Sequence, residues 1–473
     1  MVESISNFIW TYILIAALLL IGLLLTFSSR FVQVRYFFRM FRVLGSAFHH
    51  EGGHVSSFQA LVVSVAGRVG AGNIAGVAVA ITLGGPGAVF WMWIVALIGM
   101  ATSMFECTLG QLFKKNEPDG AFRGGPAFYI ERGLGPNWRW LAILFSVLML
   151  ATFGLFFIAL QSNTVAASFE DAFGVPEIAS GILMAIVLGL IVFGGIKRIA
   201  RVAEIIVPIM AIGYLVIALA VIVIDFHELP RVFLYIVESA FGLDAAVGGG
   251  IGAAILQGVQ RGLFSNEAGL GSAPNVAAVA YVRHPINQGI VQSFSVFIDT
   301  IIMCTCTAAI ILLSDVYQPG ADINGAILTQ RALAENVGSW GGSFVSLAVM
   351  LFAFSTIMYC YYLGENALAF FSENALAING LRLAAMGLVV WGALQELETV
   401  LHLSNLTMGL LALVNLFALA LLFKIVLRVL RDFDDQLAAG VTRPVFDSNK
   451  FSDLDIDHEA WRMDEEKPSP DAR

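Results

Sequence analysis

Runs of about twenty apolar residues recur along this chain. Of its 473 residues, 58% are hydrophobic and 13% are charged, which is roughly half the charged share of soluble domains. A run of about twenty apolar residues is long enough to cross the hydrocarbon layer of a bilayer as a helix. Because lipid offers no hydrogen bonds to the backbone, such runs must satisfy their own amides and carbonyls. The sequence therefore predicts an all-α polytopic membrane protein.

Eleven runs qualify as candidate spans, an odd number. They cover the following residues: 6–28, 57–83, 87–113, 138–169, 175–195, 200–224, 245–281, 288–314, 343–371, 381–400 and 404–429. With the N-terminus outside, the inside segments hold 22 of the 26 Lys and Arg residues, and the outside segments hold only Arg231 and Arg331. Cytoplasmic loops carry an excess of Lys and Arg. We therefore expect a cell (inner) membrane protein with its N-terminus outside and its C-terminus in the cytoplasm.

Two spans are interrupted by glycines and polar residues. One contains "SVAGRVGAGNIAGVAVAI" (64–81), and the other contains "GGGIGAAILQGVQRGLFSNEAGLGSAP" (248–274). If the first span is an addition, the other ten form two sets of five with opposite orientation, and each set begins with an interrupted span. Such a pair indicates an inverted-repeat secondary transporter with two unwound helices.

The spans and charges divide the chain into four parts. These are an extra helix with a basic linker (1–56), a first repeat (57–224), a second repeat (225–429) and an acidic cytoplasmic tail (430–473). Residues 431–473 hold twelve Asp and Glu against six Lys and Arg. Most of the excess negative charge of the chain is thus a property of this tail, and it does not indicate a basic ligand.

An unwound segment inside a membrane must face protein, water or ligand. Its free amides suit a carboxylate, and its free carbonyls suit a sodium ion. The alternative is close packing of helices through small residues. Arg68 and Asn73 argue against packing alone, since both are costly in lipid. In the second interrupted span, counting from the outer boundary places the break near Arg261–Ser265 rather than at Gly248–Gly250.

Other classes of site find little support. Gly70, Gly72 and Ala75 match a dinucleotide fingerprint, but no strand precedes them and the following "FWMWIVA" lacks an acid for a ribose. Phosphate-loop, catalytic-triad and basic nucleic-acid signals are lacking, so we expect neither an enzyme nor a nucleic-acid partner. The four cysteines lie in apolar runs and are expected to be small buried residues.

Four blocks of the sequence carry a family resemblance. They are "VGAGNIAGVAVAI" (69–81), "GGPGAVFWMWIVALIGMATSMFE" (84–106), "RGLFSNEAGLGSAP" (261–274) and "FAFSTIMYCYYLGE" (352–365). The chain resembles the alanine or glycine:cation symporter family over nearly its whole length. The resemblance implies a leucine-transporter-like fold of ten core helices plus one. It also implies sodium-coupled import of a small neutral amino acid.

The resemblance further implies a sodium site between the first break and the eighth core helix. The matching groups are the carbonyls of Ala66 and Val69 and the hydroxyls of Ser355 and Thr356. An alternative for the two hydroxyls is hydrogen bonding to the preceding turn of their own helix, which is common in membrane helices.

For the amino acid, we expect the carboxylate to bind amides of the first break and the ammonium to lie near the second interrupted helix. Phe264 is the candidate wall of the pocket. Gln161 and Asn163 are expected to contact the substrate, or alternatively to join helices by hydrogen bonds. The full predicted set is Gly70, Ala71, Gly72, Asn73, Ile74, Gln161, Asn163, Phe264, Ser265 and Cys360.

One departure from the family concerns specificity. Where the last block usually shows Gly then Trp, this chain has Tyr359 and Cys360. The missing indole leaves room for a somewhat larger neutral amino acid, such as glutamine or serine.

Buried charge leaves further alternatives open. Arg68 needs a partner, and the available acids are Glu106, Glu204, Glu267 and Asp299. Titration of one of these acids would instead support proton coupling. The alternatives to a symporter from other functional classes are a passive channel and a non-transporting receptor. The sequence predicts membrane lipid as a partner and leaves the oligomeric state open.

Overall fold

The structure is a computed structural model that describes residues 2–46, 55–117, 121–242, 250–319, 325–372 and 374–461. Within these ranges nearly all regular structure is helical. The α-helices are Val2–Phe8, Ile15–Ser28, Val32–Arg35, Phe37–Ser46, Ser57–Arg68, Val77–Gly84, Gly87–Leu112, Pro126–Leu134, Arg139–Met149, Ile158–Phe173, Glu177–Val192, Gly195–Ile224, Leu229–Ala240, Gly250–Asn266, Ala273–Ala277, Pro285–Val296, Thr305–Leu312, Ala326–Val337, Trp340–Ala369, Ala375–Ala393 and Leu397–Ala438.

Shorter elements complete the described secondary structure. The π-helical stretches are Ile9–Leu14, Gly72–Gly76, Leu150–Phe157 and Phe297–Cys304. The 3₁₀ turns are Pro136–Trp138, Phe226–Glu228, Ser448–Phe451 and Glu459–Trp461. Two short strands, Lys115–Asn116 and Phe122–Arg123, pair antiparallel.

Eight helices in the described ranges are long and apolar enough to cross a membrane, or nine if the bent pair Ser57–Arg68 and Gly72–Gly84 is one span. Each of these nine coincides with a predicted span. The predicted span 175–195 corresponds to the shorter helix Glu177–Val192, and 245–281 corresponds to Gly250–Asn266 and Ala273–Ala277. The all-α polytopic fold is confirmed, while the count of eleven and the inverted repeat stay predictions.

The first interrupted helix breaks where the sequence predicts. Its first half, Ser57–Arg68, begins at a capping box in which Ser56 and Gln59 satisfy each other's backbone amides. Val69 then leaves helical geometry (φ −78°, ψ 81°), and the chain resumes at Gly72 after a bend of 49°. This bend frees the backbone groups around residues 66–71.

The second interrupted helix breaks later than predicted. The helix runs through Arg261–Ser265 to Asn266, so the placement of the break at those residues is wrong. The left-handed backbone falls instead at Glu267, Gly269 and Gly271, with φ of 54°, 91° and 77°. The count assumed a helix from residue 245, whereas the described helix begins at Gly250. The rejected alternative Gly248–Gly250 lies largely outside the described residues.

Backbone contacts tie the first interrupted helix to the segment after the second. Val55, next to the capping box, forms a bridge with Ala280, and the Tyr281 amide donates to the Val55 carbonyl at 3.0 Å. The Gln111 side chain donates to the Ala280 carbonyl at 2.8 Å. The two interrupted helices are therefore joined at one end.

The C-terminal segment folds back onto this same end. The Phe446 amide donates to the Arg283 carbonyl at 2.8 Å, and Lys450 pairs with Asp432 at 2.9 Å. The Trp461 indole donates to the Leu112 carbonyl at 3.3 Å. The Trp461 ring also lies 4.3 Å from the ammonium of the buried Lys114, whose other side faces the Phe122 ring at 4.1 Å. The segment is thus docked through its aromatic residues.

Substituting Trp461→Ala should loosen this docking. Removing a large, nearly buried aromatic side chain costs about 3 kcal/mol, which corresponds to a roughly 100-fold larger undocked population. Limited trypsin digestion in detergent should then cleave after Lys450, which precedes Phe451, at a correspondingly higher rate. Trp340→Ala, at a tryptophan that is 53% exposed, should leave the rate unchanged. Equal cleavage of both variants would contradict the docking.

Candidate functional site at the two helix breaks

The first break contacts the helix Trp340–Ala369 through two buried hydroxyls. Thr356 Oγ1 donates to the Ala66 carbonyl at 2.9 Å and lies 3.4 Å from the Gly67 carbonyl. Ser355 Oγ lies 3.2 Å from the Ala66 carbonyl. Both hydroxyls also lie within 3.0 Å of the Phe352 carbonyl of their own helix. The structure thus brings Ala66, Ser355 and Thr356 together, and the expected back-bonding coexists with that contact.

These oxygens have the chemistry of an alkali-cation site. Carbonyl and hydroxyl oxygens are hard ligands without net charge. Within the described ranges, no group of three His, Cys, Asp or Glu residues could hold a metal ion. The neutral oxygens at the break are of the kind that an alkali cation takes as ligands. Val69, the fourth predicted ligand, lies in the same break and is fully buried.

The amides of the first break are satisfied by side-chain oxygens. The Gly70 amide donates to Asn73 Oδ1 at 3.0 Å, and the Ala71 amide donates to Gln161 Oε1 at 3.3 Å. Gln161 belongs to the helix Ile158–Phe173, so this contact reaches across the molecule. A carboxylate could replace either oxygen without leaving an amide unpaired.

Residues beside the two breaks meet at a buried carboxylate. Asn73 Nδ2 donates to Asp299 Oδ1 at 2.7 Å and to Ser265 Oγ at 3.1 Å. The Ser265 hydroxyl in turn donates to Asp299 Oδ2 at 2.6 Å. From the sequence, Asp299 was expected only as a partner for Arg68 or as a titrating group in proton coupling. Its position in an apolar span was a signal for burial, but nothing in the sequence placed it beside Asn73.

A second carboxylate satisfies the amides of the second break. Glu106 accepts hydrogen bonds from the Gly269 amide at 3.2 Å and from the Gly271 amide at 3.1 Å. Asn415 donates to the same carboxylate at 3.0 Å and to the Gly269 carbonyl at 2.9 Å. Sequence reasoning missed Asn415, which lies far along the chain from both partners.

Phe264 forms part of an aromatic and cationic cluster. Its ring stacks on Trp10 with centroids 5.9 Å apart and lies 6.0 Å from the Phe157 ring. The Arg261 guanidinium lies 5.4 Å from the Phe264 centroid. Phe264 immediately precedes Ser265 of the carboxylate cluster, which suits its expected position as a wall.

Other predicted site residues are placed as follows. Gly72 lies close to the second interrupted helix, since a Cβ added at Gly72 would be 3.8 Å from the Phe264 carbonyl oxygen. Ile74 is buried, and its carbonyl accepts from Thr329 at 3.3 Å. Cys360 is fully buried in the helix Trp340–Ala369. The four cysteines are all free and buried, as expected.

Asn163 does not join the breaks. Its side-chain amide donates to the Gly392 carbonyl at 3.3 Å and to the Gln395 carbonyl at 2.5 Å. The Gly392 carbonyl lies in the last turn of the helix Ala375–Ala393, where it also accepts from the Gln395 amide at 3.2 Å. The hydrogen bonds of Asn163 thus match the helix-joining alternative, while its substrate contact stays a prediction.

Arg68 does not form the predicted ion pair. Its guanidinium donates to the Gln292 carbonyl at 2.9 Å, to Ser103 Oγ at 2.9 Å and to Ser295 Oγ. In the described part of the chain no carboxylate lies within 4.0 Å of it. Neutral oxygens accept from both terminal nitrogens of the guanidinium, while its Nε has no hydrogen-bond partner among the described residues.

Comparisons with known proteins identify the family. A family model described as the sodium:alanine symporter family matches residues 1–448. The chain belongs to the sodium:alanine symporter family. The predicted resemblance is therefore confirmed, sodium is the coupled ion, and the protein is an integral membrane protein.

Individual relatives within the sodium:alanine symporter family match almost end to end. The probable sodium/glutamine symporter GlnT of Bacillus subtilis (strain 168) is 45% identical over 468 residues, which cover 98% of this chain and 96% of that protein. The sodium/alanine symporter AgcS of Methanococcus maripaludis is 35% identical over 444 residues, which cover 92% and 97%.

A solved structure supports the fold. The manganese transporter of Eremococcus coleocola, in complex with an aromatic bis-isothiourea substituted compound, matches with a TM-score of 0.50 at 16% identity. The match covers 84% of this chain and 82% of that chain. At this identity the likeness concerns the fold alone.

Substituting Gly70→Ala should destabilise the first break. A Cβ at residue 70 would lie 2.5 Å from Thr356 Oγ1, so the hydroxyl or the backbone must move. We expect a loss of about 1–3 kcal/mol in the free energy of unfolding, measured by thermal denaturation in detergent. Gly76→Ala is the matched control, since nothing lies within 4 Å of its added Cβ. A melting temperature for Gly70→Ala equal to that of the control would refute the crowding.

Proposed function

We propose that this protein is a secondary active symporter that uses a sodium gradient to import a neutral amino acid across the cell (inner) membrane. The observation that supports this most directly is that Asn73, Ser265 and Asp299, which lie beside the two breaks, are hydrogen-bonded to one another. Backbone groups freed from regular helical hydrogen bonds, together with polar side chains, are typical of a transport site where two interrupted helices meet. Alternating access of two inverted repeats, with the N-terminus outside, completes the proposal.

Sodium is proposed to bind among Ala66, Val69, Ser355 and Thr356. The short hydroxyl-to-carbonyl distances support this placement, because a cation can take the lone pairs of all these oxygens at once. In that arrangement the two hydroxyls turn their protons toward the Phe352 carbonyl, which is already within reach of both.

The amino acid is proposed to bind at the amides of Gly70 and Ala71. Its carboxylate would replace the Asn73 and Gln161 oxygens there, and the released Asn73 and Gln161 side chains could hold the same carboxylate through their NH₂ groups. The ammonium is proposed to lie beside Asp299 and Ser265, where a buried negative charge is available. Opposite charges in a site of low dielectric attract strongly.

We propose that the preferred cargo is a neutral amino acid larger than alanine, with glutamine as the leading candidate. The replacement of the usual Trp by the small Cys360 supports this, as does the similarity to GlnT over nearly the whole chain. The relative AgcS, which is named for alanine, keeps the alanine and glycine class as the second candidate.

A passive channel or a non-transporting receptor is the rival from another class. Purified protein in proteoliposomes should accumulate labelled glutamine or alanine above equilibrium only when the sodium concentration is higher outside the vesicles than inside. A channel would equilibrate the amino acid without accumulation, and a receptor would bind it without moving it. Repeating the assay at fixed sodium and varied pH separates sodium coupling from proton coupling.

Substituting Thr356→Val should weaken the sodium site while preserving side-chain volume. Loss of a hydroxyl ligand should raise the sodium concentration for half-maximal uptake at least about tenfold, which corresponds to about 1.4 kcal/mol. Thr164→Val is the control, because the Thr164 hydroxyl only back-bonds to the Leu160 carbonyl at 3.1 Å. If both variants keep the sodium dependence of the wild type, the proposed ligand set is wrong.

Competition defines the cargo. Uptake of labelled alanine should be inhibited by excess unlabelled glutamine and serine as well as by alanine, because Cys360 leaves the site larger than a tryptophan would. Leucine should compete weakly, since Asp299, Ser265 and Asn73 make the site polar. Inhibition by alanine and glycine alone would refute the larger cargo.

A further inference from the structure

Tyr359 connects the two helix breaks. Its hydroxyl donates to Glu267 Oε2 at 3.1 Å, and Glu267 is the first residue of the second break. Its ring lies against Gly67 in the first interrupted helix, where an added Cβ would be 2.3 Å from two ring carbons. The side chain is fully buried, so the ring and the hydroxyl are both held by protein.

Tyr359 lies on the same helical face as the sodium ligand Thr356. Residues three positions apart are neighbours on a helix surface. Thr356 contacts the Ala66 and Gly67 carbonyls, and Tyr359 contacts the other side of Gly67. Gly67 therefore lies between Thr356 and the Tyr359 ring. If a bound cation moves Thr356 or the Ala66 carbonyl, Gly67 can pass that movement to the ring.

The other end of the connection controls the shape of the second break. Glu267 is fully buried and adopts a left-handed backbone (φ 54°), which is uncommon for a residue with a Cβ. The same Oε2 atom that accepts from Tyr359 also accepts from the Ser272 hydroxyl at 2.5 Å. These hydrogen bonds close residues 267–272 into a loop, so Tyr359 helps to hold a backbone conformation that sterics alone disfavour.

The second break is continuous with the proposed cargo site. Ser265, which donates to Asp299, lies two residues before Glu267. The Glu106 carboxylate holds the far side of the same loop through the Gly269 and Gly271 amides. A shift of Glu267 is therefore expected to alter the backbone that carries the groups around the ammonium.

We propose that Tyr359 is a positioning residue that couples sodium binding at Ser355 and Thr356 to the affinity for the amino acid, whose proposed ammonium position lies next to the second break. This inference rests on the proposed function. Coupling of this kind is a free energy shared by two sites, so each ligand raises the affinity of the other by the same factor. This coupling depends on the tyrosine hydroxyl and on the missing Cβ of Gly67. It does not require direct contact between sodium and the amino acid.

The test compares amino-acid affinity with and without sodium. Purified Tyr359→Phe and wild-type protein would be titrated with labelled L-glutamine and L-alanine in sodium and in choline buffer. The ratio of the two dissociation constants is the sodium enhancement. We expect the enhancement to fall about five- to tenfold in Tyr359→Phe, while sodium affinity measured without amino acid stays within about twofold. A purely structural role for the hydroxyl would lower affinity equally in both buffers.

Matched variants complete the experiment. Tyr214→Phe removes another buried hydroxyl, which pairs with Thr307 at 2.7 Å, and should keep the enhancement of the wild type. Glu267→Gln keeps an oxygen that can accept from Tyr359 and should retain more of the enhancement than Glu267→Ala. Gly67→Ala displaces the Tyr359 ring and should lose the enhancement, which serves as the readout if Tyr359→Phe does not fold.

The outcomes separate the two proposals. If folded Tyr359→Phe keeps the sodium enhancement of the wild type, the coupling role of Tyr359 is overturned and the symporter function is left intact. If Tyr359→Phe does not fold, the same conclusion follows from a wild-type enhancement in Gly67→Ala. A wild-type protein that neither accumulates amino acid on a sodium gradient nor binds it more tightly in sodium overturns the proposed function itself.

Discussion

A backbone that unwinds inside a membrane must find partners for its amides and carbonyls without help from water. The rest of this structure is arranged around that requirement. Hydroxyls of Ser355 and Thr356 meet the freed carbonyls of the first break, the Gln161 side chain meets an amide, and the Glu106 carboxylate meets two amides of the second break. Each partner is a group that a cation or a zwitterion can also engage, so the requirement for stability also creates the binding site.

The first break was predictable because its signal is local. Glycines, Arg68 and Asn73 within an apolar run indicate an interruption wherever they occur, and the resemblance to the family supplied Ser355 and Thr356 as partners. The second break carries two glycine clusters, and counting along the helix selected Arg261–Ser265, which are helical. The decisive feature is Glu267 in a left-handed conformation held by Tyr359 and Ser272, and such long-range support leaves no local pattern in the sequence.

Partners of buried polar residues were the hardest part to predict. Arg68 within a span suggested a carboxylate at contact distance, yet serine hydroxyls and a carbonyl surround it. Asn163 was predicted to contact the amino acid, yet its side-chain amide donates to carbonyls at the end of another helix. In addition, each of the four described π-helical stretches lies within the site or carries a residue that contacts it: Trp10, Asn73, Phe157 and Asp299. A π-helical turn redirects side chains without a sequence signature.

The docked C-terminal segment has a consequence for protons. Burial between Phe122 and Trp461 lowers the pKa of Lys114 from the ordinary 10.5 to about 7. Were the segment to lift away, the ammonium would meet water and its pKa would return toward the ordinary value. At a pH between these two pKa values, lifting the segment away therefore binds a proton to Lys114. Raising the pH through this range favours the docked segment, and lowering the pH opposes it. The lysine thereby links the position of the chain's end to the acidity of the medium around it.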